Sequence, residues 1–204
     1  STGANQLAGF DARWRSPLYG DFPYAVYGQL IGEDEAGGFP SHYIAQAGVE
    51  QWGSIGFLDA SYRMYAEIAD TKAEFYTDDP SFGFDYAYNH GNYKTGYRYR
   101  GRSMGHGLDN DSVVYTLGGS LVREDGTSWN GFLRYARANR DEGGQNSFSA
   151  TGEEYYSGEL SRRFTALNGL ITLGARVNYT DPMRDSADSD TEVLGFITWQ
   201  NRVK

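Results

Sequence analysis

The stretch Leu58-Asp-Ala-Ser-Tyr-Arg-Met-Tyr-Ala-Glu-Ile68 decides the fold class. Leu58, Ala60, Tyr62, Met64, Ala66 and Ile68 fall on one face; Asp59, Ser61, Arg63 and Glu67 fall on the other, with Tyr65 among them. Side chains that alternate with period two belong to an extended strand. The pattern recurs from Asn168 to Tyr179, where Gly169, Ile171, Leu173, Ala175, Val177 and Tyr179 oppose Asn168, Thr172, Arg176 and Asn178, Leu170 being the exception. Ala8, Phe10, Ala12 and Trp14 oppose Gly9, Asp11, Arg13 and Arg15, and Tyr43, Ala45, Ala47 and Val49 oppose Gln46, Gly48 and Glu50. Less regular runs lie at 22–31, 112–123, 128–138, 153–163 and 191–203. Helical spacing is scarce, so the chain reads as all-β. The count is about nine strands of roughly 9–13 residues, longer than the 5–6 usual in soluble sheets and close to a transmembrane β-span.

The polar face separates a membrane barrel from a soluble sandwich. It carries Arg13, Arg15, Arg63, Arg134, Arg163 and Arg176 with Asp11, Glu50, Asp59, Glu67 and Glu159. Arginine dominates over lysine there, as expected where guanidinium forks are paired at close quarters. Trp14, Tyr24, Tyr43, Trp52, Trp129, Tyr155, Tyr179 and Trp199 lie near strand ends, as in interfacial girdles. A formal net charge of -9 argues against nucleic-acid partners, which call for a basic surface. The absence of cysteine excludes disulfides and thiolate metal sites. With 17 Tyr, 11 Phe and 4 Trp in 204 residues the chain is too aromatic for a disordered segment. No run of about 18 apolar residues reads as a membrane helix. The fold expected is an antiparallel outer-membrane β-barrel, or the carboxy-terminal part of one, as one domain over 1–204.

Connections alternate in length. Those at 16–21, 53–57, 124–127 and 164–167 are short, whereas 32–41, 72–111, 139–152 and 181–190 are long and rich in Asp and Gly. Short turns on the periplasmic side and long loops outside are the habit of such barrels. An odd strand number then implies an incomplete barrel, whose missing amino-terminal part would be needed to close it. Such strands commonly finish on an aromatic residue, whereas here Trp199-Gln-Asn-Arg-Val-Lys204 ends on lysine, so residue 204 is not expected to be the native terminus.

The connection at 72–111 is too long for a plain loop. Phe75-Tyr-Thr-Asp-Asp-Pro-Ser-Phe-Gly-Phe-Asp-Tyr-Ala-Tyr88 is crowded with rings, and Gly96-Tyr-Arg-Tyr-Arg-Gly-Arg-Ser-Met-Gly-His-Gly-Leu-Asp-Asn-Asp-Ser112 alternates basic and aromatic residues. With Leu7-Ala-Gly-Phe-Asp-Ala-Arg-Trp14, Tyr27-Gly-Gln-Leu-Ile-Gly-Glu-Asp-Glu35 and Gly48-Val-Glu50, these stretches resemble the Wzi-type capsule assembly family of outer-membrane lectins. The resemblance runs over nearly the whole chain and is strongest from Tyr97 through Ser112. It implies the carboxy-terminal half of an eighteen-stranded barrel with a periplasmic helical bundle. It further implies a bacterial outer-membrane location, lipid around the barrel, capsular polysaccharide as partner, and neither catalysis nor a cofactor.

Sugar recognition needs flat apolar faces, planar hydrogen-bonding groups and, for uronic acids, cations. Tyr97, Arg98, Tyr99, Arg100 and Arg102 supply all three, with His106, Asp109, Tyr86 and Tyr88 as further candidates. The same arginines equally suit bracing within a barrel. Tyr76, Phe82, Phe84, Tyr86 and Tyr88 read either as a stacking platform or as a mini-core plugging the pore. Two rival functions remain: a porin-like channel, and a lipid-modifying hydrolase requiring Ser103 within hydrogen-bond reach of His106. His42, His90 and His106 are scattered and make no zinc site. Asp109, Asp111, Asp185, Asp188 and Asp190 offer hard oxygens without a recognised calcium pattern, so no metal is assigned.

Overall fold

The computed structural model describes residues 7–17, 22–36, 39–77, 83–142, 144–184 and 188–201. Nine strands form one antiparallel sheet: β1 (Ala8–Arg15), β2 (Tyr24–Ala36), β3 (Phe39–Ile55), β4 (Ala60–Asp70), β7 (Val113–Arg123), β8 (Ser128–Ala138), β9 (Glu153–Ala166), β10 (Gly169–Pro182) and β11 (Asp190–Asn201). A separate hairpin, β5 (Arg98–Tyr99) with β6 (Arg102–Ser103), stands inside the long connection. Each strand of the large sheet pairs with its neighbours in chain order, and among the described residues no ladder joins β11 back to β1.

The nine expected strands are therefore present, with changed boundaries. The region 32–41, read as a loop, continues the β2–β3 ladder through Asp34↔Ser41 and Ala36↔Phe39. Its polar composition misled, because strands that rise past the bilayer need no apolar face. Leu58 lies in a short 3-10 turn, Gly56–Leu58, rather than in β4. The β9–β10 hairpin turns on Leu167 and Asn168, both with positive φ (50° and 56°), the geometry that matches strand twist.

Cross-strand register sorts the side chains. Phe10, Leu30, Val49, Met64, Ile68, Leu117, Leu133, Leu160, Val193 and Ile197 share one face and are 40–70% exposed. A contiguous apolar surface of that extent is a lipid face. Tyr115, Tyr135, Tyr156 and Tyr179 lie directly opposite one another on β7–β10, with ring centroids 6.2, 5.0 and 6.0 Å apart. They form an aromatic row at the long-loop end, and Trp14, Trp129 and Trp199 mark the turn end. Trp52 and Tyr155, read from sequence as girdle residues, fall instead on the polar face. The Arg15 guanidinium sits 4.9 Å from the Trp52 ring centre, and Tyr155 donates to Asn178 Oδ1 at 2.9 Å.

The polar face is closely paired. Glu50, 4% exposed, accepts from Arg13 Nε at 2.7 Å and Arg63 Nε at 2.7 Å, tying β1, β3 and β4 together. Arg176 Nε donates to Glu159 at 2.8 Å across β9–β10, and Tyr27 donates to Glu67 at 2.9 Å. The wealth of Gly and Tyr has a local cause here. Gly48 stands opposite Tyr27, and Gly118 opposite Tyr65. A Cβ at Gly48 would meet Tyr27 Cζ at 2.3 Å, and one at Gly118 would meet Tyr65 Cζ at 2.5 Å. Each ring lies flat over its glycine, which is aromatic rescue of a bare backbone position. Gly118→Val should therefore push Tyr65 off the sheet and cost about 1–3 kcal/mol by overpacking. Urea unfolding of the full-length protein in detergent checks this; an unchanged midpoint would refute it.

Candidate functional site

The connection between β4 and β7 folds back over the polar face. Its neck is fastened by Thr71 and Ser112. Thr71 N–H donates to Ser112 O at 2.8 Å, Ser112 N–H to Thr71 Oγ1 at 2.9 Å, and Thr71 Oγ1 to Asp109 O at 2.7 Å. Two small apolar clusters seat it. Ala87 and Tyr88 pack with Ile44, with Ile31 and Tyr97 against them, and Leu108 packs with Val114, Ala136 and Tyr155.

The hairpin β5–β6 reverses on Arg100 and Gly101, both with positive φ (51° and 75°). Two residues of that hand are what a tight hairpin needs, and they sort the basic and aromatic residues. Tyr99, Arg100 and Arg102 are exposed, and the Arg100 guanidinium lies 5.3 Å from the Tyr99 ring centre. Arg98 points inward, its side chain 7% exposed. It grips Asp109 with Nε at 2.5 Å and Nη2 at 2.8 Å, and also donates to Asn89 Oδ1 and Gln145 O, each at 2.5 Å. Asp109 is fully buried and further accepts the N–H groups of Asn110 (2.9 Å) and Ser147 (2.7 Å). This one carboxylate joins the hairpin, the 105–112 turn and the 139–152 loop.

The other candidates are distributed through the loop. Tyr88, 3% exposed, stacks on Tyr97 at 6.2 Å and receives the His106 N–H on its hydroxyl at 3.2 Å. Tyr86 lies 4.6 Å from the His42 ring. Phe84 lies beneath the Lys72 ammonium at 4.6 Å, and Tyr76 is 65% exposed. Phe82 and Asp185 fall outside the described residues. His106 Nδ1 accepts the Leu108 N–H at 3.3 Å, which leaves Nε2 to carry the proton. Burial, reinforced by the Arg134 charge, depresses its pKa, so the ring is neutral near pH 7. Ser103 Oγ accepts the Gly105 N–H at 3.1 Å. No Ser103–His106 hydrogen bond exists among the described residues, whereas a hydrolase nucleophile requires one.

The 139–152 loop is a contributor that the sequence left anonymous. Arg140 Nη2 binds Asp70 at 2.5 Å and its Nε donates to Asp111 O at 3.1 Å, while Asn146 Nδ2 caps the Leu108 and Asn110 carbonyls at 3.1 and 2.9 Å. Arg140 and Asn146 were the signal, but their partners lie 29 to 70 residues away along the chain.

A family model described as "Capsule assembly protein Wzi" matches residues 2–191. The chain belongs to the Wzi capsule assembly family. Its fold is similar to that of Wzi from Escherichia coli, described as an outer membrane protein involved in group 1 capsule assembly and as a carbohydrate-binding β-barrel. The TM-score is 0.76 and the identity 27%, over 98% of this chain and 43% of that one. A Klebsiella pneumoniae relative, "Uncharacterized 55.8 kDa protein in cps region", is 41% identical over 69 residues, 33% of this chain and 13% of its own. The chain thus spans less than half the length of either. The family places the sheet in the outer membrane, and its apolar face is the one turned to lipid.

Two predictions follow from this geometry. Arg98→Ala strands a buried carboxylate and should cost about 3–5 kcal/mol locally, whereas Arg98→Lys, which keeps a cation beside Asp109, should cost less. Limited proteolysis of the loop, with the folded barrel as internal control, reads both. Asp111 is fully buried, its Oδ2 accepting the Asp85 N–H at 2.8 Å, and burial pushes its pKa up to about 7. The folded loop then holds a proton that the unfolded chain releases near 3.9, so loop stability falls as pH rises from about 4 to 7. Protease sensitivity should rise over that window in the wild type and stay flat in Asp111→Asn.

Proposed function

We propose that this chain forms part of a non-enzymatic outer-membrane lectin, whose surface loop binds capsular or related polysaccharide and helps hold capsule at the cell surface. The observation that carries the reading is the division of the hairpin. Arg98 is consumed by Asp109 inside, while Tyr99, Arg100 and Arg102 stand exposed and, among the described residues, neither Arg100 nor Arg102 is ion-paired. A flat ring beside two guanidinium forks suits the C–H face and the carboxylates of an acidic glycan. In this reading Tyr99, Arg100 and Arg102 touch the glycan. Arg98, Asp109, Tyr88 and Tyr97 position them, and Tyr86 and His106 support the loop from below. The description of the E. coli relative as carbohydrate-binding supports the same conclusion. A channel reading is disfavoured by the loop seated across the polar face.

The test is binding of purified capsular polysaccharide to the full-length protein in detergent. Arg100→Ala with Arg102→Ala should weaken binding at least about tenfold, since charge-assisted hydrogen bonds are worth about 1.5–3 kcal/mol each. It should also flatten the salt dependence, with unfolding unchanged. Unaltered affinity would move recognition off this hairpin.

A further inference from the structure

Between the 105–107 turn and the sheet lies a cavity of about 390 Å³ that no part of the foregoing reading uses. One wall is the polar face of β2, β3 and β4; the other is the 105–107 turn with Tyr88. Its size falls within the roughly 300–1,000 Å³ typical of small-molecule sites.

The wall is built in bands by the register. Gln29 stands directly opposite Gln46, and Ile31 directly opposite Ile44. The two primary amides therefore lie side by side across one strand pair, one step from a paired aliphatic patch. No other side chain of the described residues engages either amide, although each carries two donors and an acceptor with two lone pairs. His106 lines the cavity from the turn, and because Nδ1 accepts the Leu108 N–H its Nε2 carries the proton. The acidic group on the lining, Asp70, is neutralised: its Oδ1 accepts Arg140 Nη2 at 2.5 Å and the Lys72 N–H at 2.9 Å. Its described lining holds no lysine or arginine.

Planar amides, an imidazole N–H and an aliphatic–aromatic wall, with no free charge, select a ligand rich in hydroxyls that has one apolar face. From this we infer that the cavity is a second glycan subsite, accepting a neutral pyranose unit of the same polysaccharide whose acidic groups meet Arg100 and Arg102. The inference rests on the lectin reading and adds to it a division of labour. The tip reads charge, and the cavity between the 105–107 turn and the sheet reads hydroxyl pattern.

The experiment uses the full-length protein in detergent and two probes. One is native capsular polysaccharide; the other is the same polymer with its uronic carboxyls reduced to alcohols. Gln29→Ala with Gln46→Ala, and separately Gln46→Phe to fill the cavity, should each weaken both probes about tenfold, the loss expected of one or two hydrogen bonds. Arg100→Ala with Arg102→Ala should weaken only the native probe. Agreement of the emptied and the filled variant excludes a simple folding defect, and the unfolding midpoint checks it. If the cavity variants bind both probes as wild type while the arginine variant loses the native one, the subsite is overturned and the lectin reading stands. If wild type binds neither probe, both fall together.

Discussion

A bilayer offers no hydrogen-bond partner to a peptide group, so any backbone crossing it must pair within the protein. Among the described residues no helix is long and apolar enough to cross a membrane, whereas strands long enough to cross one are present, and the strand pleat sends alternate side chains to opposite faces. Everything else in the molecule follows from that division. The apolar set forms one outer surface, and the ionic set is gathered on the opposite face. On that face Glu50 is shared by two arginines, and tyrosine rings lie over glycines across the strand pairs. A lone charge there would carry an uncompensated desolvation cost.

The same face shapes the covering loop. A long polar connection resting on a polar face has little apolar surface to bury, so it is held by hydrogen bonds around a few buried carboxylates and amides. Asp109 is the centre of that arrangement, collecting donors from three separate segments. Several non-glycine residues of the loop, Tyr88, Arg100, Asp109 and Asp111 among them, take positive φ. Such conformations persist only where surrounding contacts over-determine them. A rigid scaffold is thereby built beneath an exposed hairpin tip.

Sequence periodicity was sufficient for the strands because it is imposed residue by residue. The segment from Leu58 to Ile68 alternates whatever its partner is. Even the arginine-rich inner face was legible, since parity alone assigns Arg13, Arg63 and Arg176 to one side. The region 32–41 was misread because its strands rise beyond the lipid, where parity no longer carries a hydrophobic signal. Trp52 and Tyr155 were placed in the girdles by their nearness to strand ends, although register turns both inward.

The candidate loop was legible as a composition of rings and cations, but the role of each residue was not. Arg98, Arg100 and Arg102 are the same residue type in adjacent positions; only the positive-φ turn at Arg100 and Gly101 sends one inward and two outward. What the sequence determined alone was the strand number, the two-faced sheet and the position of the long connection rich in rings and cations, all local or periodic properties. What only the tertiary structure decided was which charges are spent and which are free, and that Gln29, Gln46 and His106 enclose one cavity. Those depend on register and on contacts between segments far apart in the chain, which no local pattern encodes.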